Sequence, residues 1–332
     1  MPTFRPFQLF VDQAVSELAL TKRLLKKFPK IPVKIVLDRR EIKRPVEMTW
    51  AKKGLYLTRL KSDPIKDFRM MSESSRRPYF SLDLVSNCHL ECTYCILQSY
   101  LENNPVITVY TNFEEILERL ATQIPSLPEG SVVGTGRIAD SLALDDLTGH
   151  TREMVPFFGK QDRSFLELKT KSAFVRNLLG LDHRGKTVVS WSVNPQTIID
   201  REEYKTASLE ERLKAASQVV EAGYPVGFHF DPMIFHERWK ENYQEVVQKI
   251  FKKVKPDQVA WISIGTLRFP ARQARIMAKR FPKNKNVLEK LVSTHRKVLH
   301  YPDDLREEMQ GILESELLKN LPADKIYRCM DF

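Results

Sequence analysis

Residues 78–265 alternate six strand-like segments with helix-like ones, and that order restricts the fold more than any other feature. The strand-like runs are PYFSLDLV (78–85), SVVGTG (131–136), FLELKT (165–170), TVVSWSVN (187–194), VGFHFDP (226–232) and DQVAWISIG (257–265). NFEEILERLATQI (112–124) places Phe113, Ile116, Leu117 and Leu120 at helical spacing behind Asn112 as an N-cap. Residues 145–158, 172–179 and 237–254 read as further helices. In SLEERLKAASQVVEAG (208–223), Ser208 and Glu211 form a capping box and Gly223 closes the helix. Strands separated by helices indicate parallel βαβ units with right-handed crossovers. The predicted fold is therefore α/β, a partial (β/α)6 barrel over residues 78–265. A basic N-terminal α/β module (1–77) precedes it, and a helical C-terminal extension (266–332) follows it.

Barrel enzymes carry their chemistry at the C-terminal ends of the strands. Those ends read SNC (86–88), GTGR (134–137), KTKS (169–172), WSVN (191–194), HFDP (229–232) and SIGTLR (263–268). Each is polar or glycine-containing. The first leads into SNCHLECTYCILQSYL, where Cys88, Cys92 and Cys95 are spaced Cys-x3-Cys-x2-Cys; Cys329 is the one other cysteine. Three close thiolates can hold three irons of a cubane cluster and leave the fourth open for chemistry. A zinc site with His89 or a distant fourth ligand is the alternative. Zinc sites usually pair two close ligands with a second, distant pair, and none is visible here. A chain this poor in cysteine has no disulfide framework.

No apolar run approaches bilayer-spanning length, and the N-terminus lacks the pattern of a signal peptide. A cytoplasmic protein with no membrane partner is the expectation. The chain has a net charge of +11, and residues 1–77 alone carry 19 Lys and Arg against 8 Asp and Glu. The remainder is balanced, so the excess sits at one end. A basic surface of this kind suits an anionic partner, most commonly nucleic acid.

The spacing Cys-x3-Cys-x2-Cys with Tyr94 before the third cysteine resembles the signature of radical S-adenosylmethionine (SAM) enzymes. LKTKS (168–172), GKTVVSWSVNPQTII (185–199), RLKAASQVVEAGYPVGF (212–228) and HERWKENY (236–243) narrow this. Together they resemble the spore photoproduct lyase family, whose members reverse a thymine–thymine lesion in DNA. The resemblance implies a radical SAM barrel and a 4Fe-4S cluster on Cys88, Cys92 and Cys95. It also implies SAM chelated by the open iron, and one-electron cleavage of SAM to a 5′-deoxyadenosyl radical. DNA as substrate and an electron donor of the reductase or flavodoxin type follow as expected partners. A radical SAM enzyme acting on RNA, a peptide or a metabolite is an alternative, and so is a non-catalytic metal-stabilised nucleic-acid-binding protein.

The resemblance assigns roles position by position. Tyr94 lies by the adenine and matches one family tyrosine. Lys171 meets the SAM carboxylate. Ser192 and Asn194 reach methionyl or ribose groups, and Gly134 and Gly136 let backbone approach the methionine. Asp231 and His229 point into the barrel toward ribose or substrate. Two positions depart from the family pattern. Arg137 stands where the family has a hydrogen-donating cysteine, and Ile96 stands where it has a tyrosine after the third cluster cysteine. Cys329 could replace the donor if the tail folds over the barrel. Beyond the barrel, residues 268–281 are expected to be helical, with Arg268, Arg272, Arg275 and Lys279 forming a stripe suited to phosphates.

Overall fold

In the computed structural model, residues 4–43, 48–75, 77–103, 105–294 and 297–329 are described. All six expected strands form: Tyr79–Leu82, Ser131–Gly134, Ser164–Thr170, Thr187–Ser192, Val226–Met233 and Val259–Thr266. They pair in sequence order, each parallel to the next, as right-handed βαβ winding requires. Ile65–Asp67 adds antiparallel to the first strand, and Ile326–Arg328 adds parallel to the last. The extension is therefore not wholly helical. Its helix Asp303–Leu317 forms as expected, but the chain then returns as a strand and carries Cys329 to the barrel. Short strands of this kind give no periodicity that a sequence would betray.

The strands are almost wholly buried, Thr187–Ser192 at every position. Alternate side chains face opposite ways along each strand. Leu166, Leu168 and Val189 pack outward beneath the helices, in one large core with Ile116, Leu120, Leu213 and Val247. The other face lines the barrel in tiers. Val188 and Trp261 join Val132, Tyr79 and Cys329 in a small apolar cluster. Two residues further along come Glu167, Ser190, His229 and Ser263, and then Lys169, Ser192 and Asp231 at the mouth.

Three helix expectations need correction. Residues 172–179 form no helix, because side chains capture the backbone locally. The Thr170 hydroxyl accepts from the Ser172 N–H at 2.9 Å, and the Ser172 hydroxyl from the Phe174 N–H at 3.0 Å. Residues 145–158 split into Asp145–Thr148 and Thr151–Gly159 around Gly149, whose φ of 61° only glycine adopts without cost. Asn112 precedes the helix Phe113–Gln123, yet its side chain does not cap it; it accepts from the Leu60 N–H at 2.8 Å. The helices Leu209–Glu221, with its capping box, and Trp239–Lys253 form as read.

Residues 8–58 build a parallel sheet of Val33–Val36, Gln8–Asp12 and Gly54–Thr58. Ile107–Tyr110 and Val85–Ser86 complete it. These two strands flank the cysteine loop in sequence, so the N-terminal sheet grips that loop from both sides. Among the described residues, no helix is long and apolar enough to cross a membrane.

Candidate active site

The strand ends surround a cavity of about 600 Å³. Cys88, Cys92, Tyr94, Cys95, Gly136, Arg137, Lys171, Ser192, Asp231 and Arg268 all line it. Ten sequence-predicted positions from all six strand ends thus converge on one space. Ile96 lines it as well.

The cysteine loop is held by the main chain around it. Asn87 takes a left-handed φ of 70°, and its side chain accepts from the Cys88 N–H at 2.8 Å. Glu91–Cys92 pairs antiparallel with Glu203–Tyr204. Gln98 donates to the carbonyls of Cys92 and Thr93 at 3.1 and 2.7 Å, and Gln273 donates to that of Cys95 at 2.8 Å. Burial pushes the Cys88 thiol up to about 12 and raises that of Cys92, with Cys95 adding to both. All three thiols line the cavity. Among the described residues, no three His, Cys, Asp or Glu side chains are arranged around a single ion. His89, the alternative zinc ligand, does not line the cavity; its ring is buried beside Phe4 with both nitrogens unbonded. Three thiols lining one cavity are the donor set that a 4Fe-4S cluster with one open iron would take up.

Behind the loop stands Glu203, which sequence reading missed. Its carboxylate accepts from Arg212 at 2.6 Å, from Asn194 at 2.9 Å and from the Tyr94 hydroxyl. Burial alone would raise its pKa, but Arg212 and Lys171 hold it down at about 2. Lys171 stands 5.9 Å from the Tyr94 ring centroid. Burial works against its charge, yet Glu203 and Cys92 keep its pKa above the usual value. Lys171 therefore stays cationic on the cavity wall.

Two predicted positions, Asn194 and Gly134, do not line the cavity. Asn194 is buried off the cavity, held between Glu203 and the Tyr243 hydroxyl, which donates to it at 2.7 Å. Gly134 also lies off the cavity. A Cβ there would sit 2.0 Å from the Tyr79 hydroxyl, so the glycine makes room for that ring. Gly136 does line the cavity, packed so closely on Lys169 that a Cβ would approach its Cβ to 3.0 Å.

Below the cavity floor Glu167 is the second missed centre. Ser190, Trp261 and His229 donate to it at 3.0, 3.1 and 3.0 Å, and so does the Tyr79 hydroxyl. Burial would raise its pKa, but the His229 and Tyr79 hydrogen bonds bring it down to about 2. Burial also lowers that of His229, so a neutral ring faces a carboxylate. His229 then carries its proton on Nε2 and accepts from Ser263 at Nδ1, 2.6 Å away. His229 is thus a structural group and not a cavity residue.

Asp231 points into the cavity and pairs with Arg268 at 3.3 Å. Gly265 makes this possible, since a Cβ there would stand 2.6 Å from the Asp231 carboxylate. The Cys329 thiol donates to the Met71 sulfur at 3.8 Å and lies 3.8 Å from the Arg268 guanidinium. Arg137 donates to Asp83 at 2.6 Å. The expected basic stripe is not intact. Arg268 lies in a strand, Arg268–Pro270, paired with Val298–His300, and the helix Ala271–Arg280 starts only after Pro270. Arg272 bonds the Ser99 carbonyl and pairs with Glu102 at 3.4 Å, while Arg275 and Lys279 are exposed.

A partial barrel with three thiols on the loop after its first strand defines the radical SAM class. The spore photoproduct lyase family model matches residues 4–328. The chain belongs to the spore photoproduct lyase family. The spore photoproduct lyase of Bacillus subtilis (strain 168) is 31% identical over 213 residues, 63% of this chain and 62% of that protein. That of Clostridium acetobutylicum is 28% identical over 220 residues, 66% and 64% of the two chains. The aligned stretches thus span less than two thirds of these relatives. A spore photoproduct lyase mutant with bound AdoMet and dinucleoside spore photoproduct shares the fold, with a TM-score of 0.86 at 24% identity. The match covers 98% of this chain and 99% of that one. A spore photoproduct lyase complexed with the dinucleoside spore photoproduct matches with the same TM-score.

Proposed function

We propose that this chain is a radical SAM lyase acting on a thymine photolesion in DNA, with an altered hydrogen-atom return. The observation that carries the reading is the convergence of Cys88, Cys92, Cys95 and Lys171 on one cavity. A 4Fe-4S cluster with SAM, when bound, supplies one-electron cleavage of the sulfonium C–S bond and with it hydrogen abstraction from the lesion. Cys88, Cys92 and Cys95 hold the cluster. Lys171 offers a fixed cation to the SAM carboxylate, kept charged by Glu203. Tyr94, fixed through its hydroxyl by Glu203, presents its ring to the same space. Ser192 supplies a hydroxyl at the fourth strand end, and Gly136 gives backbone access.

After the lesion bond breaks, the product needs a hydrogen atom. Arg137 cannot give one, because its N–H bonds are strong and its charge is fixed by Asp83. It is suited instead to an anionic or carbonyl oxygen of the substrate. Cys329 is the one thiol among the described residues outside the cysteine loop, and it lies 3.8 Å from Arg268, the partner of Asp231 on the cavity wall. Burial pushes its pKa up, so it keeps its S–H bond. We assign the hydrogen return to Cys329. The test is repair of dinucleoside spore photoproduct by the reconstituted, reduced protein, with thymine products resolved chromatographically. Intact thymine made by the unmodified protein, and mis-terminated adducts made by Cys329→Ala, support the assignment. Clean multiple-turnover repair by Cys329→Ala refutes it. Absence of any lesion cleavage refutes the lyase reading itself.

A further inference from the structure

The cavity is one approach to the cysteine loop, and residues that do not line it form a second. Glu91, next to Cys92, is buried among three cations: Arg280 at 2.7 Å, Lys52 at 3.5 Å and Lys205 at 3.7 Å. Three cations around one carboxylate leave an excess of positive charge directly behind a cluster ligand. Lys52 and Arg280 are largely covered, but Lys205 keeps 40% of its side chain in solvent. Two exposed aromatic rings flank this charge. Tyr204, 38% exposed, precedes Lys205. Trp50, 51% exposed, follows Thr49, whose hydroxyl lies 3.4 Å from Arg280, and Lys53 sits over its ring.

The route inward from this surface is short. Tyr204 pairs across an antiparallel ladder with Glu91, and Glu203 pairs with Cys92. The Thr93 N–H donates to the Glu202 carbonyl at 2.8 Å. A molecule resting on Tyr204 is thus one ladder rung from a cluster cysteine.

If the function proposed above holds, each reduction of the cluster requires an electron from outside while SAM and substrate occupy the cavity. We infer that Trp50, Lys53, Tyr204, Lys205 and Arg280 form the docking face for a small acidic electron-carrier protein of the flavodoxin type. Its flavin hydroquinone anion becomes the neutral semiquinone by losing one electron, and the cluster gains that electron. No proton moves and no covalent bond changes. Positive charge alone would also attract a phosphate backbone. Exposed rings interleaved with the cations favour a protein surface, and the ladder to Cys92 serves an electron and not a phosphate. Charge complementarity of this kind steers association and falls with salt.

The test compares the holoenzyme with Lys53→Glu/Lys205→Glu and with the milder Lys53→Glu alone, which alters only an exposed side chain. Binding of oxidised flavodoxin is measured by calorimetry at low salt. SAM cleavage is measured with reduced flavodoxin and, separately, with dithionite. The double variant should bind flavodoxin about tenfold more weakly and lose flavodoxin-driven cleavage in proportion. Lys53→Glu should show a smaller loss of the same kind, and dithionite-driven cleavage should be unchanged. Unchanged flavodoxin binding in both variants overturns the inference. So does a loss of duplex DNA binding with flavodoxin binding intact, which would make the patch a phosphate surface. If dithionite drives no SAM cleavage in the unmodified protein while flavodoxin still binds through these residues, the docking face stands and the cofactor reading fails.

Discussion

Glu167→Gln tests whether the barrel floor is organised around a buried charge. The carboxylate accepts from four side chains and is wholly buried, and its pKa falls from 4.5 to about 2. A folded-state pKa below the unfolded one stabilises the fold above about pH 4.5, and that stability is lost as pH falls toward 2. A shift of this size corresponds to about 3 kcal/mol. Glutamine removes the charge and turns one acceptor into a donor facing other donors. The variant should therefore be about 3 kcal/mol less stable at pH 7. With an unfolding entropy of roughly 2 cal/mol/K per residue, a chain of this length should lose about 4 °C in Tm. The sharper test is urea unfolding of both proteins at several pH values below 4.5, where Glu167 takes up its proton in the unfolded chain but not in the folded one. There the unmodified protein should lose stability faster than the variant, by up to about 1.4 kcal/mol per pH unit. Parallel curves between pH 5 and 3, or a Tm within about 1 °C of the unmodified protein, would refute a charged Glu167.

Gly265→Ala places a Cβ 2.6 Å from the Asp231 carboxylate and 3.1 Å from Arg268. It should cost about 1–3 kcal/mol in chemical denaturation, and lesion turnover should drop more than substrate-free SAM cleavage does. In the Cys329→Ala background, Arg137→Cys places a thiol at the cavity wall, and the fraction of intact thymine among repair products, read by chromatography, should rise above that of Cys329→Ala alone. An unchanged product ratio would argue against the position's role in termination. Duplex DNA should bind with an affinity that falls steeply with salt. Replacing the exposed Lys26, Lys30 and Lys34 by glutamine should flatten the log K against log salt slope by about 0.9 for each phosphate no longer neutralised. An unaltered slope would place the DNA elsewhere. Arg44, in the same basic stretch, lies outside the described residues.

The barrel was legible because buried parallel strands and amphipathic helices each leave a period in the chain. Thr187–Ser192 and Val226–Met233 could be read within two residues of their bounds. Cys88, Cys92, Cys95 and Lys171 were legible as cavity residues because local spacing and a family resemblance marked them. Glu203 and Glu167 were not. Glu203 sits in REEYKT, which reads as a solvated charged turn, and Glu167 alternates with leucines as a surface residue would. Their meaning lies in partners far along the chain: Lys171 for Glu203, Tyr79 and His229 for Glu167. The i, i+4 spacing that puts Arg268 on a helix ignores Pro270, whose place at the helix start leaves Arg268 in the strand before it. The strand Ile326–Arg328 was missed because three residues carry no usable period, yet it is what brings Cys329 beside Arg268.

The central claim is that Cys88, Cys92 and Cys95 hold an iron–sulfur cluster that activates SAM. Anaerobically reconstituted protein, analysed for iron, sulfide and zinc and then reduced with SAM present, tests it most directly. One 4Fe-4S cluster per chain and release of 5′-deoxyadenosine are expected, with both lost in Cys88→Ala, Cys92→Ala and Cys95→Ala. Stoichiometric zinc without iron, or a full cluster that survives loss of any one of these cysteines, would contradict the account.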